Sequence, residues 1–426
     1  MSVPSSVTKT DVSSSAVDGR WGVLSLLAIG TMINYLDRTV LGVAAPALSA
    51  ELKVSPEMMG VVFSAFSWSY AAAQLPGGWF LDRFGNKLTY FLAVTFWSLF
   101  TSLQGLSRGL VSLLASRLGV GLTESPCFPV NSRIVAEWFP ERERARATAV
   151  YTVGEYVGLA CFGPALFWVL SRFGWRTLFY LVGTAGILFG MAWWNLYHEP
   201  NSRPGAPVSY TAAHNTPSWA GVRRLLGFRQ VWGASIGQFG GNSTLVFFLT
   251  WFPTYLTRER HMDWIRSGFF AVLPYFAAGC GVMVGGWLSD RLLRHGRSLS
   301  FARKLPVIAG LLGSSTIILA NYATSDTVVI AVFSAAFLAQ GMTGLGWTVI
   351  AEIAPISMMG LTGGIFNFAA NLAGILTPLV IGLILGATGS FYWAMAYVAA
   401  MALIGALSYI FLLGQVERID LTALPE

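Results

Sequence analysis

Gly77-Gly78-Trp79-Phe80-Leu81-Asp82-Arg83 closes one long apolar stretch, and Gly285-Gly286-Trp287-Leu288-Ser289-Asp290-Arg291 closes another in the second half of the chain. Each copy of this Gly-Gly-Trp-x-x-Asp-Arg signature falls after the second apolar block of its own half. A repeat at one topological position implies a duplicated unit. Working outward from the two copies gives six apolar blocks per half, hence twelve. Parallel repeats of this kind are related by an axis along the membrane normal.

Composition agrees. Hydrophobic residues make up 54% of the 426 positions and charged residues only 11%, whereas a soluble domain carries roughly 25% charged residues. The chain has too few charges to coat a water-facing surface. Blocks such as 58–76, 88–106, 177–196 and 391–413 are nearly charge-free and approach the roughly 20 mostly apolar residues that a spanning helix needs. Lipid leaves helices as the natural solution, because backbone groups there must be bonded internally. The fold class is therefore an all-α membrane protein of twelve spans in two six-helix bundles. The expected organisation is a disordered cytoplasmic tail at 1–20, a bundle at 21–197, a cytoplasmic linker at 198–230 rich in Pro, Gly, Ser and Arg, a second bundle at 231–414, and a tail at 415–426.

The net charge of +7 invites a nucleic-acid reading, which the placement of the basic residues argues against. With both termini inside, Arg20, Arg83, Lys87, Arg133, Arg142, Arg144, Arg146, Arg223, Arg224, Arg291, Arg294, Arg297 and Arg303 fall on the cytoplasmic side, and only a few such as Lys53, Arg108 and Arg176 fall outside. That asymmetry is the positive-inside rule. Cys127, Cys161 and Cys280 lie inside apolar segments as expected small buried residues, with no disulfide or metal-ligand spacing. No Ser/His/Asp set, metal cluster or phosphate-cradling glycine loop points to an enzyme, and neither a metal nor a cofactor is expected.

The informative residues are charges where charges are costly. Arg117 and Glu124 stand seven apart on the fourth span, two turns and about 10 Å along one helix face. Asp37 and Arg38 are adjacent on the first, diverging by roughly 100°. Glu155 lies on the fifth. Arg keeps its proton and offers a planar fork to a carboxylate, so a buried Arg is a permanent anion site. Asp and Glu change charge with burial and neighbours. A cavity holding both types can couple anion binding to protons. The plainer reading is a set of structural salt bridges. Glu155 is open to three readings: a third titrating group, a restriction on which anions fit, or a partner for an Arg such as Arg117.

The loop Gly78-x-x-x-Asp82-Arg83-x-Gly85-x-Lys87 resembles the motif of the major facilitator superfamily, with a degenerate second copy at Gly286-x-x-x-Asp290-Arg291. The resemblance runs from about Trp21 to Gly414. It implies that Asp82, Arg83, Lys87, Asp290 and Arg291 act as a cytoplasmic gate, with Asp82 accepting from helix-end amides while Arg83 and Lys87 meet a carboxylate. Three further stretches, Asn34-Tyr35-Leu36-Asp37-Arg38, Ser64-x-Phe66-x-Trp68-x-Tyr70-x-x-x-Gln74-x-Pro76-Gly77-Gly78 and Arg117-x-x-x-Gly121-x-x-Glu124-x-Pro126-x-Phe128-Pro129, are similar to the anion:cation symporter family. That likeness implies proton coupling at Asp37 and Glu124, with Arg38 and Arg117 tuning them, and substrate contacts from Tyr70, Gln238, Trp347 and Asn367. It departs from the family pattern at Thr343-Gly344-Leu345-Gly346, where hydroxyl residues are expected, and at Glu155, where a neutral polar residue is expected.

The resulting expectation is a monomeric proton symporter importing a small organic anion, a sugar acid foremost, in a bacterial inner membrane. The alternatives are a symporter of a dicarboxylate or aromatic acid, or a proton antiporter exporting drugs or metabolites. Gly154, Gly158 and Gly163-Pro164 echo the antiporter signature, but Phe167 breaks it and two buried arginines repel a cation. The Asn-x-Thr acceptor Asn242 falls inside the seventh span. Membrane lipid is the expected surrounding, and nucleic acid is not a partner.

Overall fold

The computed structural model describes residues 15–199 and 219–421. The calls on 1–14, on 200–218 of the linker and on 422–426 lie outside the described residues. No strand occurs among the described residues, and twelve helical spans follow one another. Span 1 is Ser15–Leu52. Spans 2 and 3 share the run Pro56–Gly105, turning at Gly85. Span 4 is Leu110–Glu124 followed by Cys127–Trp138. Spans 5 and 6 share Glu141–Leu196, turning at Gly174. Span 7 is Arg229–Thr250, continued to Glu259. Span 8 is Trp264–Arg294, and span 9 is Leu299–Ser315 with a 3₁₀ extension to Tyr322. Span 10 is Asp326–Met342 and Gly346–Ile353, joined by a 3₁₀ turn. Span 11 is Met359–Thr388, and span 12 is Tyr392–Leu407 continued to Leu412. Among the described residues, six helical stretches, Arg146–Leu196 and Tyr392–Leu412 included, are apolar and long enough to cross a membrane by length and composition alone.

Three expectations change. The first helix starts at Ser15, inside the segment read as a tail, because Trp21, Leu24 and Leu27 carry its apolar face back toward Phe139. The linker contains the helix Trp219–Leu225, held by the fully buried Leu225. Of the three cysteines only Cys127 is buried, Cys161 being exposed and Cys280 half-buried. An apolar span has a lipid-facing side, so position in a span does not decide burial.

Each half contains six spans, so both ends of each half lie on one face, here called the terminal face. At Gly85 the backbone takes φ of 77°, a left-handed conformation natural to Gly. The turn is fixed from outside: Glu199 Oε1 accepts from the backbone amides of Asn86 and Lys87 at 3.1 Å each, serving the free amides at the start of span 3. Asp82 was expected in that role. Its side chain is instead largely exposed and meets Arg133 at 3.4 Å, while Arg133 also binds Glu137 at 3.0 Å. Lys87 lies 5.1 Å from the Trp194 ring, and among the described residues Arg83 has no ion pair. In the second half Arg303 gathers Asp290 at 3.6 Å, Glu352 at 3.0 Å and the Ser289 hydroxyl at 2.9 Å, and Arg291 lies over Trp287. Each repeat thus ties its Asp within its own half.

The halves meet on the opposite, distal face through glycines. Gly42 of span 1 lies against the Leu249 carbonyl, Gly60 of span 2 against the Pro378 carbonyl and Gly382 of span 11, and Gly268 of span 8 against Pro164 and Phe167 of span 5. Trp251 plugs the centre, donating from Nε1 to the Pro378 carbonyl at 3.3 Å and meeting the Phe63 ring edge-on at 5.2 Å. Toward the terminal face the halves separate, and Gly286, Gly363 and Gly364 face open space. A Leu at position 60 has no room beside the Pro378 carbonyl. Gly60→Leu is therefore expected to loosen the distal seal, read as faster labelling by an impermeant maleimide, added from the distal side, of Ser67→Cys in a background lacking the native cysteines.

Candidate functional site

Between the separated halves lies a cavity of about 1090 Å³. Its wall reaches from Thr250 and Gly374 near the seal to Thr148, Gly286 and Gly363 near the terminal face. Arg38, Arg117 and Glu155 are its charged lining residues among those described, and all three come from the first half. The second half contributes neutral groups, including Gln238, Asn242, Gln340, Thr348, Asn367 and Asn371.

Arg38 pairs across helices with Glu124, Nε to Oε1 at 2.7 Å and Nη2 to the same oxygen at 2.5 Å. Its guanidinium sits among the rings of Tyr35, Phe66, Tyr70 and Phe128, at 4.9, 4.9, 5.3 and 5.9 Å from their centres. A desolvated cation gains from such faces. Glu124 is fully buried behind the cavity wall, and its Oε2 has no hydrogen-bond partner. It is the last residue before span 4 breaks at Pro126. A proline leaves the carbonyl four residues back without its helical donor, and here the Ser125 hydroxyl lies 3.0 Å from that Leu122 oxygen and 3.1 Å from Ala73 of span 2. The break is thereby satisfied and pinned beside Glu124.

Arg117 is 2% exposed, borders the cavity and lies 5.0 Å from the Phe66 ring, yet its Nε and Nη1 have no hydrogen-bond partner. A buried guanidinium with unused donors is ready for an anion. Asp37 is completely buried and stands off the cavity; its Oδ2 accepts from Trp97 Nε1 at 2.8 Å, and Oδ1 is unpartnered. Glu155 is 6% exposed, faces the cavity beside the Tyr35 phenol, and forms no ion pair among the described residues, with Arg117 or otherwise.

Of the proposed contact residues, Tyr70, Gln238, Trp347 and Asn367 all line the cavity. Trp347 is braced edge-on by Phe366 at 4.9 Å. Thr343, the hydroxyl beside the glycines of span 10, donates to the Gln340 carbonyl at 2.7 Å. Asn242 donates to the Ala370 carbonyl at 2.6 Å, bracing span 7 against span 11. Sequence reasoning missed Thr152, Thr348 and Asn371 as lining groups. Thr152 stands three residues before Glu155 and Asn371 four after Asn367, so the helical repeat from the named residues carried that signal.

Residues 27–302 match the family described as Major Facilitator Superfamily. The chain belongs to the major facilitator superfamily. Among similar proteins is a D-galactonate transporter of Escherichia coli, 42% identical with 94% of this chain and 97% of that protein covered. A probable galactarate/D-glucarate transporter of Escherichia coli is 40% identical, covering 95% of each chain, and one of Bacillus subtilis is 40% identical, covering 94% and 93%. The crystal structure of a bacterial homologue of the human lysosomal transporter Spinster, in an inward-facing and occupied conformation, shares the fold at a TM-score of 0.73 and 22% identity, covering 92% of this chain and 96% of that one.

In this major facilitator protein Glu124→Ala leaves Arg38 unpaired within the wall. Removing one partner of a buried pair costs about 3–5 kcal/mol, and the lower figure is expected because Arg38 borders the cavity. Thermal unfolding in detergent checks this, with Arg38→Ala/Glu124→Ala expected to recover part of the loss.

Proposed function

We propose that this chain is a proton-coupled symporter that imports a small organic anion, a sugar acid, by alternating access. The observation that carries the proposal is Arg117, buried at the cavity wall with Nε and Nη1 unpartnered, beside an Arg38–Glu124 pair that a proton can open. Protonation of Glu124 removes its charge and frees Arg38 for the substrate carboxylate; deprotonation restores the pair and expels the anion. Asp37, tied to Trp97 away from the cavity, takes a proton without touching substrate. The amides of Gln238 and Asn367 receive sugar hydroxyls, and Trp347 covers the carbon skeleton. Tyr70, against the Arg38 guanidinium, orients it.

The terminal face is read as cytoplasmic, as the positive-inside rule favours, so the cavity is inward-open. In the outward-open state Arg83 and Lys87 would close against the other half, with Asp82, Asp290 and Arg291 shaping the two gate loops. The membrane is the bacterial inner membrane and the working unit a monomer. The names of the relatives support a sugar acid as substrate.

The test is uptake of labelled D-galactonate, D-gluconate, galactarate and D-glucarate into proteoliposomes with and without an inward proton gradient. Wild type is expected to accumulate a sugar acid only with the gradient. Glu124→Gln is expected to lose accumulation while keeping counterflow exchange. Gradient-independent equilibration of wild type, or drug efflux without sugar-acid uptake, defeats the proposal. Arg117→Ala is expected to weaken half-saturation about 10- to 100-fold, the worth of one charged hydrogen-bonded contact of roughly 1.5–3 kcal/mol.

A further inference from the structure

The distribution of charge in the cavity distinguishes two classes of sugar acid. One class carries a single carboxylate, as aldonates do; the other carries two, as aldarates do. A dianion held away from water is costly unless nearby cations offset both of its charges. Both cavity cations come from the first half, and Glu155 lines the cavity from that same half. The facing wall has amides, hydroxyls and Trp347, with no charge among the described residues.

With Asp37 and Glu124 each holding a proton, as the proposed mechanism requires of the loaded state, Arg38 and Arg117 supply two positive charges and Glu155 one negative. The net is a single positive charge, which one carboxylate neutralises. A second carboxylate leaves the closed cavity with an excess negative charge. It then lies either near Glu155, where like charges repel, or against the neutral wall, where no cation compensates it.

We infer that Glu155 is a specificity-determining residue that restricts this transporter to monocarboxylate sugar acids and rejects the corresponding dicarboxylates. The inference rests on the sugar-acid reading above and deepens it. Glu155 has the geometry for the role: it is nearly buried, faces the cavity, sits beside the Tyr35 phenol and forms no ion pair among the described residues. As an acceptor it also suits the hydroxyls of an aldonate, to which it offers a charged hydrogen bond.

D-Galactonate and galactarate form a matched pair, differing only at C6, where a hydroxymethyl group is replaced by a carboxylate. D-Gluconate and D-glucarate form a second. Binding of each to the purified full chain is measured by thermal stabilisation and by competition in counterflow. The monoamide of galactarate, equal in size to galactarate with its second charge removed, is the control for charge.

Wild type is expected to prefer the aldonate by at least about tenfold, and the monoamide to bind far better than galactarate. Glu155→Gln is expected to narrow the preference about tenfold, and Glu155→Asp to retain it. An aldarate bound as well as its aldonate overturns the inference, as does a monoamide as weak as galactarate, or an unchanged preference in folded Glu155→Gln. If that variant does not fold, the monoamide comparison on wild type decides. If no member of either pair binds, the sugar-acid reading falls and this inference with it.

Discussion

A guanidinium removed from water must find a carboxylate, and the first half of this protein is arranged around the place where Arg38 finds Glu124. The pair joins spans 1 and 4 at 2.7 Å. Four aromatic rings surround the cation, and a proline break ends the helix segment that carries the anion. Desolvation makes such a pair expensive to bury and more expensive to break. Its stability depends on one proton, and both partners lie within reach of the cavity wall.

The second half answers the first with neutrality. Its core is an aromatic stack in which Phe248 and Phe337 lie face to face at 3.9 Å and Tyr275 donates to the Phe248 carbonyl at 2.8 Å. That half gives the cavity amides, hydroxyls and an indole. Among the described residues, charge thus enters the cavity from one bundle alone, and the other lines it with neutral groups.

Much of the fold was legible in the sequence. The twin Gly-Gly-Trp-x-x-Asp-Arg copies are local strings, and apolar blocks of spanning length have few other uses in water-free surroundings. The charged residues stood out for the same reason, and Arg38, Arg117 and Glu155 do share one cavity. Partner choice was not legible. Arg117 and Glu124 share a helix face, yet Glu124 pairs with Arg38, because cross-helix pairing depends on how two helices are rotated against each other. Asp37 looked like a cavity residue and instead faces Trp97. The amides of Asn86 and Lys87 are served by Glu199, more than a hundred positions away, and no local pattern announces so distant a cap.

The distal contacts of Gly42, Gly60 and Gly268 are made by backbone and have little side chain to rearrange. Freezing rotamers costs entropy at an interface, and at these glycine contacts that cost is small. Dispersion across such close contacts already loses a quarter to a half of its well at a gap of about 0.5–1 Å. A junction of this character gives up much of its attraction as soon as it parts, so a partly engaged arrangement of the two bundles is poorly held.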